Sequence, residues 1–217
     1  MMLGSSLQAQ LHELGLLVGG TNMIGDVGRE NYVAPNNVMF GAIYKRNFNK
    51  RITVRGSGTY GRITANDSEA RNQARVLRNL NVINTIFELS TELEFNFFDF
   101  EVFENNHSHT PYVLLGFSAF RYSRLENNGR IGGFAESRVR DISYAIPFGI
   151  GYKTSFIGNT ILGLEVRARY TFTDDLELTD DPSLVSLNDS SNNDWYMFTG
   201  LSLTIPFGRE RCFYSNF

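Results

Sequence analysis

The sequence is poor in the residues that most often build reactive or cross-linked sites. Its 217 residues include one cysteine, Cys212, so no disulfide can form within the chain. Only three histidines occur, His12, His107 and His109. The formal net charge is −3, which gives no reason to expect nucleic acid or an anionic membrane surface as a partner.

Long apolar runs are also missing, and none reaches the length of a transmembrane helix. This excludes a helical membrane protein but not a transmembrane β-barrel, in which half of each strand faces a polar interior. Eighteen Phe, ten Tyr and twenty Gly beside five Pro favour strands. A helical period is weak everywhere except in the segment EARNQARVLRNL.

The segment FELSTELEFNFF, residues 87–98, shows the dominant pattern of the sequence. Apolar Phe87, Leu89 and Leu93 alternate with Glu88 and Glu92, a period of two residues that is typical of a β-strand with one apolar and one acidic face. The acidic face could lie in water around a soluble sheet, or inside a barrel whose apolar face lies in lipid.

The same period predicts eight strands, near residues 11–23, 37–47, 51–63, 85–97, 112–123, 142–154, 160–173 and 194–207. Each run has ten or more residues, whereas strands of soluble proteins usually have about five or six. A tilted strand that crosses a bilayer needs about nine to eleven. Aromatic residues near the run ends agree with interfacial belts: Phe97, Tyr122, Tyr144, Tyr152, Trp195 and Phe207.

The connections alternate in length. Those at 24–36, 64–84, 124–141 and 174–193 are long and polar, 48–50 and 155–159 are tight turns, and 98–111 is intermediate. Bacterial outer-membrane barrels have long loops outside the cell and short turns in the periplasm. We therefore expect an all-β fold, an eight-stranded antiparallel transmembrane β-barrel over residues 11–208 in the outer membrane, with both termini in the periplasm. Residues 1–10 read as the remnant of a signal peptide and 209–217 as a periplasmic tail.

A soluble, lipocalin-like barrel also has eight strands, but its apolar face would point inward. Its exterior would then carry the acidic and basic faces of the strands in water, which is physically acceptable. The strand lengths, the loop asymmetry and the secretory start favour the membrane barrel instead.

In the membrane barrel, the charged faces of the strands share a narrow lumen that side chains fill. The residues expected to form this charge network are Glu13, Lys45, Arg55, Glu88, Glu92, Glu94, Glu165, Arg167 and Arg169. Arg55, on the adjacent third strand, is the first partner expected for Glu88, Glu92 and Glu94. Arg167 and Arg169 are expected to reach across the lumen. A structural plug of ion pairs is the preferred interpretation, and a proton or ion pathway is the alternative.

Sites for chemistry are weak in this sequence. His107 and His109 form an H-x-H pair in the 98–111 turn, but two ligands without a third make a poor metal site. Asp174, Asp175, Asp180 and Asp181 are acidic pairs that suit a solvated loop better than a calcium site. No catalytic constellation is found, so we expect no enzyme activity, no metal and no cofactor.

Several segments together resemble the PorG family, outer-membrane β-barrel proteins of the type IX secretion system. They are LHELGLLVGGTNMIGDVG, FGAIYKRNFNKR, TANDSEARNQARVLRNLN, IPFGIGYK, LEVRARYTFTD and NDWYMFTGLSLTI, in this order from Leu11 onward. The resemblance implies a non-enzymatic protein that ties a periplasmic ring, built from a lipoprotein and its associated ring protein, to the outer membrane. In bacteria that glide, the same machinery supports motility.

Contacts to such a ring would come from the periplasmic side. The expected contacts are Phe98, Asp99, Phe100, Glu101, Phe103, Glu104, Arg209, Arg211, Cys212, Phe213 and Tyr214. Cys212 is either idle or forms a disulfide with a ring subunit. A stand-alone small barrel that acts through its extracellular loops in adhesion or envelope stability shares every pattern described above. A membrane-embedded hydrolase is disfavoured by the histidine positions.

Overall fold

The computed structural model describes residues 11–24, 35–66, 81–101, 108–127, 136–173 and 195–208. They form eight strands: β1 (Leu11–Ile24), β2 (Asn37–Asn47), β3 (Ile52–Asn66), β4 (Asn81–Asn96), β5 (His109–Asn127), β6 (Glu136–Ser155), β7 (Ile161–Thr171) and β8 (Trp195–Gly208). Among these residues, no helix is long and apolar enough to cross a membrane.

The strands form one closed barrel in which each strand pairs with its neighbours in the sequence. All pairs are antiparallel, and β1 closes the sheet against β8 from Leu11↔Gly208 to Ile24↔Trp195. Closure gives every strand two hydrogen-bonded neighbours, although the pairing of β4 with β5 stops at Phe87↔Arg121 and that of β6 with β7 stops at Ala145↔Thr171.

The fold class and the eight strands predicted from the sequence are confirmed. Three connections differ from the expectation, because β3 continues to Asn66, β4 begins at Asn81, β5 extends from His109 to Asn127 and β6 begins at Glu136. The connection predicted at 64–84 is therefore reduced to 67–80 and that at 124–141 to 128–135, and the intermediate turn 98–111 becomes 97–108. Hydrogen-bonded pairing of β5 with β6 continues as far as Asn127↔Glu136, beyond the apolar part of both strands, which the apolar alternation could not reveal.

The turn at 48–51 is fixed by its own asparagine. The Asn49 side-chain oxygen accepts hydrogen bonds from the backbone N–H of Arg51 at 2.8 Å and of Ile52 at 2.6 Å. The 156–160 turn contains Gly158 at φ 64°, a left-handed conformation that glycine adopts without strain. In both turns, the chain reverses direction between two neighbouring antiparallel strands.

The side chains are distributed in the reverse of a soluble protein. Apolar residues at alternate strand positions are exposed outside, for example Leu16 at 65%, Leu115 at 60% and Ile150 at 65%. Charged residues at the intervening positions are buried inside, with Arg55, Glu88 and Glu94 at 0%. An apolar outside around an ionised inside suits lipid and not water, which decides against the lipocalin-like alternative.

Aromatic side chains lie outside toward both ends of the strands. His12, Tyr44 and Phe207 stack near the short turns, and Phe40 contacts Tyr60 toward the long connections. Tyr122 is a correction to the expected belt, because it is 3% exposed and points into the barrel. It shares the inward parity of Tyr112, Leu114, Ser118 and Phe120 on β5.

A charge placed on the outer face should separate a lipid-facing surface from a water-facing one. We predict that Leu115→Arg costs about 2–4 kcal/mol of folding free energy in lipid vesicles, because the new charge enters the hydrocarbon. Phe172→Arg, just beyond the end of β7, should cost about 1 kcal/mol or less and serves as the control. Urea titrations in vesicles measure both values. Equal and small costs for the two variants would show that the outer face is not in lipid.

Candidate functional site: a closed, charge-paired barrel interior

The barrel interior contains equal numbers of buried acidic and basic side chains among the described residues. Five carboxylates and five cations are each at most 2% exposed: Glu13, Glu88, Glu92, Glu94 and Glu165, with Lys45, Arg55, Lys153, Arg167 and Arg169. Their strand positions put them all on the inward face. All nine residues that the sequence nominated for the interior network lie there, and Lys153 joins them.

Nearest the short turns, Glu94 lies between two lysines from other strands. Lys45 Nζ on β2 is 2.8 Å from one Glu94 oxygen, and Lys153 Nζ on β6 is 2.6 Å from the other. The neighbouring Glu13 has neutral donors instead, since Asn47 Nδ2 donates to it at 2.7 Å and Thr204 Oγ1 at 2.8 Å. Each carboxylate oxygen at this level is therefore hydrogen-bonded.

The middle of the lumen is organised around two arginines and two glutamates. Arg55 donates to both oxygens of Glu165, at 2.6 and 2.9 Å, and its Nε is 3.3 Å from Glu92. Arg167 is 3.0 Å from Glu165 and 3.2 Å from Glu92. The Tyr112 hydroxyl adds a hydrogen bond to Glu165 at 2.9 Å. Each glutamate thus has two arginine partners, which makes this level redundant.

Closer to the long connections, Glu88 depends on one cation. Arg169 donates to it through Nη2 at 2.9 Å and Nε at 3.1 Å, and the Tyr196 hydroxyl donates at 2.5 Å. The Arg169 guanidinium also lies 3.9 Å from the centre of the Phe198 ring, a cation–π contact. Glu88 and Arg169 form a nearly self-contained pair.

Both ends of the lumen are covered by apolar side chains. At the turn end, Phe100 is 4% exposed and its ring centre is 4.7 Å from Lys153 Nζ. At the other end, an apolar cluster fills the barrel: Leu17, Met23, Met39, Ile43, Ile63, Ile86, Phe120, Tyr122, Ala145, Tyr196 and Phe198. The ion pairs are enclosed between these layers, where a low dielectric strengthens them.

Glycines on the inner wall make room for the larger side chains. A Cβ on Gly151 would overlap the Tyr112 ring, and a Cβ on Gly149 would lie 2.9 Å from Arg167 Cγ. Both distances are shorter than real Cβ atoms show. The glycines of GIGYK therefore let Tyr112 and Arg167 lie against the neighbouring strand β6 and reach Glu165.

Sequence reasoning missed three residues of this network: Tyr112, Lys153 and Tyr196. The alternation in β6 did indicate Lys153, because it lies on the opposite face of the strand from Ile150 and Tyr152, whose side chains are exposed. The two tyrosines gave none, since tyrosine suits an interfacial belt as well as an interior hydrogen bond.

The other candidate residues are placed separately from this network. His12 stacks between Tyr44 and Phe207 on the outer surface, and His109 begins β5, not the turn, where it stacks on Tyr152. His107, the four loop aspartates Asp174, Asp175, Asp180 and Asp181, and Cys212 lie outside the described residues. Within the described ranges, no group of three His, Cys, Asp or Glu is placed to hold a metal ion.

The expected partner contacts divide into three groups. Phe98 is 55% exposed beside Asp99, which receives a hydrogen bond from Arg51 Nε at 2.6 Å, and Glu101 pairs with Lys50. The Arg51 hydrogen bond lowers the pKa of the Asp99 carboxyl. Phe100 is a correction, because it is buried as the cover of the lumen and is not available to a partner. Phe103, Glu104, Arg209, Arg211, Phe213 and Tyr214 are outside the described residues.

The fold and the enclosed ion pairs define a small membrane-spanning β-barrel with a filled interior. Within that class, the chain belongs to the family described as a domain of unknown function, DUF6089, whose model matches residues 1–216. Among curated proteins, none matches the chain.

Solved structures with a similar course of the chain are small barrels. The N-terminal β-barrel domain of Pseudomonas aeruginosa OprF is 12% identical, with 92% of this chain and 98% of that one covered at a TM-score of 0.48. Yersinia pestis Ail is 12% identical over 91% and 100% of the two chains at 0.47, and neisserial surface protein A (NspA) is 12% identical over 92% and 96% at 0.46. Because these TM-scores lie below 0.5, the fold of this protein is defined by its own strand pairing and side-chain burial.

Among the described residues, Glu92 and Glu165 each have two arginine partners, whereas Glu88 has one. This difference predicts unequal losses of stability when an arginine is removed. We expect Arg169→Met to cost about 3–5 kcal/mol, because Glu88 stays buried and loses the one cation among the described residues that is hydrogen-bonded to it. Arg167→Met should cost clearly less, since Arg55 still pairs with both Glu92 and Glu165. Urea unfolding in vesicles, followed by fluorescence of the single tryptophan, Trp195, measures both.

The double variant Glu88→Gln with Arg169→Met is the control for that comparison. It removes both charges of the pair and should recover part of the loss. Equal costs for the two arginine variants, or no recovery in the double variant, would contradict the assigned pairing.

Gly151 provides a separate test of interior packing. We predict that Gly151→Ala destabilises the barrel by about 1–3 kcal/mol, because the new methyl group displaces Tyr112 from Glu165. Gly56→Ala on the outer face meets no atom closer than 4.0 Å and should be neutral or slightly stabilising. The same unfolding assay compares them, and a neutral Gly151→Ala would show that the Tyr112 ring does not lie there.

Proposed function

We propose that this chain is a non-enzymatic outer-membrane component of the type IX protein secretion and gliding machinery. In this role it anchors a periplasmic ring, made of a lipoprotein and its associated ring protein, to the outer membrane. The resemblance to the PorG family supports the choice of machinery. The filled interior is the structural observation that carries the anchoring role.

A lumen filled by ion pairs and covered at both ends leaves no path for a polypeptide. Ten buried charges, Phe100 and the apolar cluster would all have to move before a chain could pass. An eight-stranded barrel has an interior wide enough only for side chains or one small ligand. The same packing makes the barrel rigid, which suits an anchor for a large assembly and not a translocation channel.

The turn end offers an ordered surface that suits docking. The backbone N–H of Phe100 donates to the Lys50 carbonyl at 3.3 Å, and that of Asn96 to the Arg51 carbonyl at 2.7 Å, so two successive turns are held together. Lys50 pairs with Glu101 and Arg51 with Asp99 across the same contact. Phe98 and Phe48 stay exposed beside these pairs. Exposed aromatic side chains and arginine, such as Phe98, Phe48 and Arg51 here, are enriched in protein interfaces.

We orient this surface toward the periplasm, with the long connections outside the cell. The short turns and both ends of the barrel domain lie at one end of the barrel, as in bacterial outer-membrane barrels. Periplasmic ring subunits would then meet Phe98, Asp99 and Glu101 directly.

The test is a pull-down of the tagged, full-length chain from its native outer membrane in mild detergent. We expect the ring lipoprotein and its partner to co-purify with the wild-type chain. Phe98→Asp should reduce their recovery at least about tenfold, because it removes an exposed aromatic contact at the turn end. Val38→Asp, an exposed residue at the opposite end of the barrel, serves as the matched control and should leave recovery unchanged.

Two outcomes contradict the proposal. If the folded wild-type chain purifies without partners at several detergent strengths, the stand-alone barrel that acts through its long loops becomes the better assignment. If the ring co-purifies equally with wild type and Phe98→Asp but not with Val38→Asp, docking takes place at the long-loop end.

A further inference from the structure

Charge of one sign stands out on the described part of the outer face of the barrel. Among strand residues whose side chains the structure describes, the outward positions include Arg46, Arg62, Arg121 and Arg140 and no carboxylate. The overall net charge of −3 conceals this, because the carboxylates are concentrated inside the barrel and in the connections. An outward arginine near a membrane needs an anion or water as its neighbour.

Three of these arginines, Arg62, Arg121 and Arg140, form one group that we name the arginine belt. Arg121 on β5 is paired with Phe87 on one side and Ile142 on the other. Arg140 pairs with Ser123, two residues further along β5, and Arg62 pairs with Thr85, two residues beyond Phe87 on β4. The pairing of β4 with β5 ends at Phe87↔Arg121, so the belt lies on the neighbouring hairpins β3–β4 and β5–β6, with Arg121 at the last pair that joins them.

Arg121 lies level with the outer aromatic residue Phe87, and Arg62 and Arg140 lie two residues further toward the long connections. Tyr60 pairs with Phe87 and contacts Phe40, and Phe117 stacks on Tyr144. Aromatic side chains mark the boundary between hydrocarbon and headgroups. The arginine belt thus lies at the height of the lipid headgroups, toward the long connections.

The belt lacks partners within the described part of the protein. All three arginines are exposed, and none forms an ion pair with a described residue. At the turn end the cations are matched, since Lys50 pairs with Glu101 and Arg51 with Asp99. Arg46, also near the turns, lies over the Phe48 ring at 5.0 Å. Within the described residues, it is therefore the end with the long connections that presents several cations without an ion pair to the headgroup layer.

We propose that the arginine belt binds the headgroup of a lipid that carries more than one phosphate group. Guanidinium groups bind phosphate through paired, charge-assisted hydrogen bonds, and three arginines at one end of two neighbouring hairpins can hold two phosphates of one headgroup. Binding fixes the height and rotation of the barrel in the lipid leaflet around the long connections. This inference does not depend on the partners proposed above.

The test measures lipid affinity of the full-length, folded chain by native mass spectrometry in detergent. The probes are a bisphosphorylated lipid A, the same glycolipid without phosphates, and zwitterionic phosphatidylcholine. We expect the bisphosphorylated lipid to bind at least about tenfold more tightly than the other two, and its affinity to fall as ionic strength rises. Arg62→Gln, Arg121→Gln and Arg140→Gln together should remove that preference.

The triple variant Arg46→Gln, Lys50→Gln and Arg51→Gln is the matched control, because it removes the same charge at the opposite end. It should keep the affinity within about twofold of wild type. Replacement of the three belt arginines by lysine should retain more binding than replacement by glutamine. Heat-modifiable gel mobility verifies that each variant is folded.

Three results would overturn the proposal. The first is equal affinity for the phosphorylated and phosphate-free glycolipids. The second is an equal loss of affinity in the glutamine variant of the belt and in the control variant. The third is complete competition by inorganic phosphate at the concentration of the lipid, which would assign the belt to a soluble anion.

Discussion

The enclosed ion-pair network is the constraint on which the rest of the structure depends. Five carboxylates and five cations share a space from which lipid and bulk water are excluded, so each charge needs its partner. Because these charged side chains must meet, their strand positions point inward. All the ion-pair partners come together only when the eight strands have closed into the barrel. Glycines at the inner wall and covers at both ends follow from the same need to bring long side chains together without voids.

Because its interior is filled, the barrel is unsuited to transport through the lumen and better suited to binding other molecules at its surface. The interior resists passage of a chain, so function is expected at the two ends and on the outer face. The turn end has a surface with the ion pairs Arg51–Asp99 and Lys50–Glu101, whereas the arginines at the other end form no ion pair with a described residue. The two ends of the barrel therefore have different chemistry.

Sequence periodicity was enough to predict the fold and most of the interior. In β4 the alternation of Glu88, Glu92 and Glu94 with leucine and phenylalanine admits only one division into faces. Periodicity could not identify which charged residues form ion pairs. Arg55 reaches β7 and Arg169 reaches β4 across the lumen, and alternation within a strand carries no information about such contacts. It also misjudged Phe100 and Tyr122, since an aromatic residue near a strand end suits either an interfacial belt or a cover of the lumen.

The central claim is that alternate residues of each strand face lipid and a closed, charged interior. Single spin labels placed in turn along β4, from Phe87 to Phe95, test it most directly in vesicles after Cys212→Ser. Labels at Phe87, Leu89, Leu93 and Phe95 should collide with oxygen dissolved in the lipid and stay hidden from a water-soluble nickel reagent. A label at Ser90 should be hidden from both. High exposure of the apolar positions to the nickel reagent would contradict the account, because it would place the apolar face of the barrel in water.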